Sequence, residues 1–293
     1  MSNQTKSYIY ALAAVLCWST VASAFKITLQ FMDFEQLLLL SSFIAFLTIF
    51  IINLKITKLS RVIMYTPKQW LQSVLLGFLN PFLYYLILFK AYSLIPAQEA
   101  LTLNYIWVVM VVLFSIPVLK QKISLKSFIC ILISFIGVII VATHGDLFSL
   151  KFSNLSGTLL ALGSSLVWAL FWLLNVKDKR EASLKLLLNF FFGFLFILII
   201  HIANNDIINT NWKGLLGATY IGIFEMGLTF YLWLKALSLS STTDKISSLI
   251  FISPVLSLIF ISIFVGETIT ISTLIGLVLI LLGIILQKIT NKK

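Results

Sequence analysis

Charge is what this sequence has least of. Only 11% of its 293 residues are Asp, Glu, Lys or Arg, against about 25% in a soluble globular chain. Cysteine is nearly absent. Cys17 and Cys130 both fall inside long apolar runs, so neither a disulfide framework nor a thiolate metal site is indicated, and no metal or cofactor is expected. The glycine-rich P-loop pattern is missing, which excludes ATP hydrolysis by that route. Histidine is limited to His144 and His201, both near the ends of apolar runs. A membrane-embedded enzyme would need clustered acids, histidines or a metal set, and the sequence offers none.

What is present is apolar sequence, 60% of the chain, and it comes in blocks rather than in alternation. A helix needs about 20 consecutive, mostly apolar residues to cross the hydrocarbon core. Ten blocks meet that measure, near 7–26, 35–53, 69–89, 97–119, 126–143, 155–176, 183–203, 212–234, 244–265 and 271–288. A membrane barrel would show short alternating segments instead. The expected fold is therefore an all-α polytopic membrane protein with ten transmembrane helices. The longest connection, Leu54 to Lys68, leaves no room for an extramembrane domain.

The net charge of +11 raises the question of nucleic acid, but its placement points to a membrane. With the N-terminus in the cytoplasm, only Lys26, Lys90, Lys151 and Lys213 of the 21 Lys and Arg fall on the outer side. By the positive-inside rule both termini are cytoplasmic. Ala22-Ser23-Ala24 after an apolar run resembles a signal-peptidase site, but cleavage there would remove a helix that the following repeat requires.

The two halves resemble each other. Gly77-Phe78-Leu79-Asn80 through Lys90-Ala91-Tyr92-Ser93-Leu94 aligns with Gly222-Ile223-Phe224-Glu225 through Lys235-Ala236-Leu237-Ser238-Leu239, and Leu16-x-Trp18 recurs as Leu166-x-Trp168. The expected division is 1–150 and 151–293, five spans each. Five is odd, so the second half is inverted relative to the first. Inverted repeats of this kind mark secondary transporters that bind cargo near the midplane.

These residues also resemble the drug/metabolite transporter superfamily, in its EamA-type branch, over essentially the whole chain. Ala97-Gln98-Glu99-Ala100-Leu101-x-x-Asn104-Tyr105-Ile106-Trp107 is similar to a stretch of the family's aromatic-amino-acid exporters. Ser253-Pro254-Val255-Leu256-Ser257 and Gly266-Glu267, followed by Gly276 and Gly283, are similar to the EamA signature. The sequence departs from the pattern at Val109, where many members have proline, and at Lys122, where a counterpart of Glu267 would stand. The resemblance implies a ten-helix basket with a central cavity, in the bacterial cytoplasmic (inner) membrane, exporting metabolites.

Glu225 is the first site candidate, because an ionisable group in mid-span is costly and marks a pathway or a proton relay. It is a candidate for substrate binding and for proton coupling; the bland alternative is a protonated acid bonding a neighbouring helix. Its repeat partner, Asn80, is expected on the opposite wall. Helical spacing places Gly222, Glu225, Thr229 and Trp233 on one face, and Asn80 with Tyr84 on another. Ser165, Trp168 and Trp172, then Trp18, and then Asn104 with Trp107 complete the substrate-binding candidates. Aromatic walls with a few polar groups suit an organic metabolite, although for any single aromatic packing or an interfacial anchor is the commoner use. Pro81 and Pro254 fall inside expected helices and would each free a carbonyl. Lys90 with Glu99, and Lys235 with Asp244, are candidate gates at opposite mouths; snorkelling lysines beside solvated acids are the alternative.

The leading reading is a secondary transporter exporting amino acids or similar small amphipathic metabolites by alternating access, with a small-molecule substrate and the lipid bilayer as its partners and no need of a second subunit. An importer or exchanger of another metabolite or amine, and a scaffold that transports nothing, are the alternatives. Cysteine labelling with an impermeant reagent tests the topology: a Cys at Ser149 is expected to label in intact cells, and one at Lys293 only after permeabilisation.

Overall fold

The computed structural model describes residues 2–56, 59–120, 124–146, 152–204, 210–240, 246 and 249–290. Among them every regular element is helical. In chain order these are α1 (Asn3–Thr28), α2 (Phe34–Ile56), α3 (Pro67–Gly77), α4 (Tyr84–Leu94), α5 (Ala97–Asn104), α6 (Trp107–Leu119) and α7 (Leu125–Ala142), followed by α8 (Leu155–Lys177), α9 (Ala182–Ala203), α10 (Trp212–Tyr220), α11 (Leu228–Leu239), α12 (Ile252–Phe260) and α13 (Ile271–Thr290). Wide π turns join α3 to α4 (Phe78–Leu83) and α10 to α11 (Ile221–Gly227), so that each pair forms one long helical segment. Seven segments are long and apolar enough to cross a membrane by length and composition, and three shorter apolar helices (Phe128–Ala142, Leu249–Val265 and Ile271–Leu286) accompany them.

Helix starts follow local chemistry. Thr66 and Gln69 form a reciprocal capping box ahead of Pro67, and Asn154 and Asn211 cap α8 and α10 with their side chains, satisfying amide groups that have no partner within the helix. Interruptions have causes as well. The residue before a proline is pushed to extended backbone, and Asn80 takes φ −149° and ψ 122°. Pro254 lies inside the helical segment Leu249–Val265, where it cannot donate to the carbonyl four residues back. That carbonyl, Ile250 O, accepts the hydroxyl of Tyr105 at 3.3 Å instead.

The halves interlock. α1 packs on α11 and α12, α2 on α9, α4 and α6 on α8, and α7 on α13. The outer surface is apolar; Ile51, Leu71, Phe128, Ile263 and Val278 are all exposed. Such a surface suits lipid. Inside, Ser19, Ser41, Thr48 and Thr143 return their hydroxyls to carbonyls of the preceding turn, which pairs these small polar groups within their own helices.

The connection from α8 to α9 is tied down by charge. Arg180 grips Asp178 through two nitrogens, at 3.0 and 2.6 Å, and donates to Gln69 O and Ser73 Oγ of α3. Burial pushes the Asp178 carboxyl up, but the hydrogen bonds and charge of Arg180 outweigh it and hold the group below its usual range. This tie therefore contributes fully at neutral pH and is lost only as pH falls through that lowered value.

The closest helix pair is α7 with α13. A Cβ on Gly137 would lie 2.6 Å from Gly276 O, and one on Gly276 would lie 2.7 Å from Gly137 O. Backbones that approach this closely need small residues. Gly276→Ile is expected to destabilise the protein by about 1–3 kcal/mol through overpacking, measured as a lower thermal midpoint in detergent; an unchanged midpoint would mean the pair can part without cost.

Candidate functional site

A cavity of about 750 Å³ lies between α1, α4, α5, α6, α8, α11 and α12. The α5–α6 segment turns one face to it, carrying Leu101, Asn104, Tyr105, Trp107 and Val108, the spacing of a single helical face. On α4, Tyr84, Leu88 and Tyr92 line it at four-residue spacing, and on α8 Trp168, Trp172 and Val176 do the same.

The walls are aromatic. Tyr84 stacks on Trp168 with ring centres 4.3 Å apart, and Trp168 meets Trp107 and Trp172 edge to face at 6.4 and 5.8 Å. Trp18 and Trp233 close another side at 5.3 Å. Offset and edge-on arrangements of this kind are the favourable ones. Between them sits Glu225, and among the described residues no other acid and no Lys or Arg is part of the lining. Tyr85 donates its hydroxyl to Glu225 Oε1 at 2.9 Å, while Glu225 Oε2 is buried with no hydrogen-bond partner. A buried polar atom without a partner calls for a water or a ligand. Trp172 Nε1 is a second unpaired group, a donor. A relay fixes the neighbouring wall: Tyr84 donates to Asn104 Oδ1 at 3.4 Å, and Asn104 Nδ2 donates to Ser164 Oγ at 2.8 Å.

Of the sequence candidates, Trp18, Tyr84, Asn104, Trp107, Trp168, Trp172, Glu225 and Trp233 come together on this lining. Asn80 and Thr229 do not. Asn80 is buried in the π turn that packs against α9, and its amide has no partner. Thr229 is fully buried, hydrogen-bonds Phe224 O across its own π turn and is not part of the lining. Gly222 turns toward α2, where a Cβ would lie 2.7 Å from Ser41 O.

The gate pairs are redrawn. Lys90 does not meet Glu99; its ammonium sits over the Phe34 ring, 4.4 Å from the centroid. Glu99 is buried and takes Ser153 Oγ at 2.7 Å and His144 Nε2 at 3.5 Å. Lys235 is exposed beside a smaller cavity of about 310 Å³ between α2, α9 and α11, and Asp244 lies outside the described residues. Among the described residues, no cluster of His, Cys, Asp or Glu could hold a metal ion.

Tyr85, Tyr92, Tyr105 and Ser253 are not among the sequence candidates, although Tyr85 holds Glu225 and the other three line the cavity. Four-residue spacing from Tyr84 would have found Tyr92. Nothing local marks Tyr85, whose partner is 140 residues away.

Seven helices long and apolar enough to cross a membrane, packed around an aromatic cavity, are the architecture of a polytopic integral membrane protein. The model of the EamA-like transporter family matches residues 5–143 and again 155–287, and the chain belongs to that family. Among its relatives, an uncharacterized transporter of Clostridium kluyveri is 27% identical over 190 residues, 61% of each chain. The uncharacterized transporter YvbV of Bacillus subtilis is 25% identical over 77% of this chain and 74% of its own. A solved crystal structure with 20% identity superposes with a TM-score of 0.66 over 98% of both chains, a likeness of fold.

The bond between Tyr85 and Glu225 can be weighed directly. Tyr85→Phe is expected to cost about 1–3 kcal/mol by leaving a buried carboxyl oxygen unpaired. In a Glu225→Leu background the same change should cost much less, and equal losses in both backgrounds would show that the two groups are uncoupled.

Proposed function

We propose that this protein is a secondary transporter of small amphipathic metabolites, amino acids or monocationic amines, which it exports by alternating access. The observation that carries this reading is the free Oε2 of Glu225 inside an aromatic cavity whose lining, among the described residues, includes no Lys or Arg. A carboxylate accepts an ammonium, aromatic faces accept a cation or an apolar side chain, and the indole N–H of Trp172 suits a carboxylate or carbonyl. Phosphorylated or polyanionic cargo would call for Arg or Lys.

Ten spans in two inverted halves, 1–150 and 151–293, support alternating access in this reading. The π turns at Phe78–Leu83 and Ile221–Gly227 stand at equivalent places in the two halves, and the family model matches each half separately. The protein works as a monomer in the bacterial inner membrane with both termini cytoplasmic and without nucleic acid, and Glu225 couples transport to protons. The likeness of the Ala97–Trp107 stretch to aromatic-amino-acid exporters favours amino-acid cargo.

Glu225→Gln mimics only the protonated form. It is expected to keep wild-type membrane yield while lowering transport severalfold or flattening its dependence on pH. Cells overproducing the wild type should excrete amino acids and tolerate toxic amino-acid analogues, and proteoliposome uptake of the same compounds should reveal the direction. Tolerance of none, together with transport of a phosphorylated solute, would sink the amino-acid reading; an unaltered pH profile in Glu225→Gln would leave the acid a packing residue.

A further inference from the structure

The cavity has two unlike ends. Toward the end of the bundle where α1 begins, its lining runs out to Leu237 and Val176, and Val176 is 63% exposed. At the other end the lining stops at Phe25, Tyr92 and Leu101. Phe25 and Tyr92 are buried there and meet edge to face at 5.2 Å.

Behind that aromatic floor lies the turn that joins α4 to α5, and three parts of the chain grip it. From α1, Lys26 Nζ donates to Tyr92 O at 2.9 Å and to Ile95 O at 2.8 Å. From the segment leading into α13, the Glu267 carboxylate accepts the N–H groups of Ala97 at 2.7 Å and Gln98 at 3.1 Å. These are first-turn amides that a helix leaves free, at the end of its dipole that favours an anion. Gln98 returns the grip, donating to Thr268 O at 3.0 Å and accepting from Thr270 N at 2.9 Å. Beside it, Glu99 holds Ser153 and His144.

Each of these bonds joins separate elements, so breaking them unwinds no helix. Lys26 and Glu267 are only partly buried, and water can take over their hydrogen bonds at modest net cost. The gripped residues are also those that floor the cavity: Tyr92 gives its ring to the lining and its carbonyl to Lys26, and Phe25 directly precedes Lys26.

We propose that this clamp, centred on Lys26 and Glu267, is the gate on the far side of the transport path, closed here while the cavity is open at the end where α1 begins. It rests on the transport reading. Cargo that reaches Phe25 and Tyr92 touches the residues the clamp holds. Opening the far side requires Lys26 to leave its two carbonyls and Glu267 to leave the start of α5.

Accessibility from each side tests this without any cargo. Leu101→Cys, in a Cys17→Ser and Cys130→Ser background, places one thiol at the closed end, and an impermeant maleimide is applied to right-side-out and to inside-out vesicles. With the clamp intact, modification is expected from the face where α1 begins and to be slow from the clamp face. Glu267→Gln and Lys26→Met should each raise the clamp-face rate about tenfold by shifting the population toward the open far side, and Glu267→Asp should restore it toward the intact value. Gln98→Ala removes only the return grip and should raise the rate less; it decides the matter if the charge variants do not fold. A clamp-face rate that stays low in all variants that fold, Gln98→Ala included, would overturn the gate, as would fast clamp-face labelling with the clamp intact. Loss of the Glu225 reading would leave this result untouched, because no substrate enters the measurement.

Discussion

Every backbone amide and carbonyl that faces lipid must find its partner within the protein, and this requirement governs the rest of the structure. It excludes strands with open edges and makes long helices the default for a chain with so little charge. It also decides where helices may be interrupted. The π turns at Phe78–Leu83 and Ile221–Gly227 and the turn at Tyr105–Ile106 are placed against other helices or along the cavity. There the freed groups meet side chains, as at the hydroxyl of Thr229, and not hydrocarbon. The acid of the site, Glu225, stands in one of these relaxed places, while its aromatic walls stand on regular helices.

The same economy explains many of the polar groups. Buried hydroxyls such as those of Ser19 and Ser41 fold back on their own helices, and Asn104 and Ser164 bridge α4, α5 and α8. Other buried groups stay unpaired, Asn80, Asn189 and Ser257 among them, and Glu225 is an acid of this kind on the cavity wall, with one oxygen held by Tyr85 and the other without a partner. Keeping such a group is costly in an apolar interior, which is the physical case for reading it as a place kept for something else. The Asp178–Arg180 pair shows the contrast: equally buried, but saturated with hydrogen bonds, it anchors a loop.

Much of this was legible in the sequence because apolar blocks and helical spacing are local signals. Seven of the ten blocks hold helices long and apolar enough to cross a membrane and the other three hold shorter apolar helices, and spacing points Trp168, Trp172, Glu225 and Trp233 toward one cavity. What spacing could not supply was the partner each side chain meets. Counting in fours puts Thr229 on the lining, yet its side chain is buried and spent on Phe224 O within the π turn. Asn80 was placed on the wall by symmetry with Glu225, yet it packs against α9. Lys90 and Glu99 were paired by proximity in sequence, whereas the partners of Glu99 come from the far end of α7 and the approach to α8. Contacts such as Tyr85 with Glu225, or Glu267 with the start of α5, join residues more than a hundred positions apart, and no periodicity encodes them.

The aromatic lining has a consequence of another kind. The chain contains 7 tryptophans, and Trp18, Trp107, Trp168, Trp172 and Trp233 all border the cavity. Indole emission depends on the polarity and the quenchers around the ring, so most of the protein's intrinsic fluorescence originates at the wall that a bound solute would touch. Occupancy of the cavity, or its filling with water, is therefore written into an optical signal that needs no added label, and unknown compounds can be sorted by the light they change.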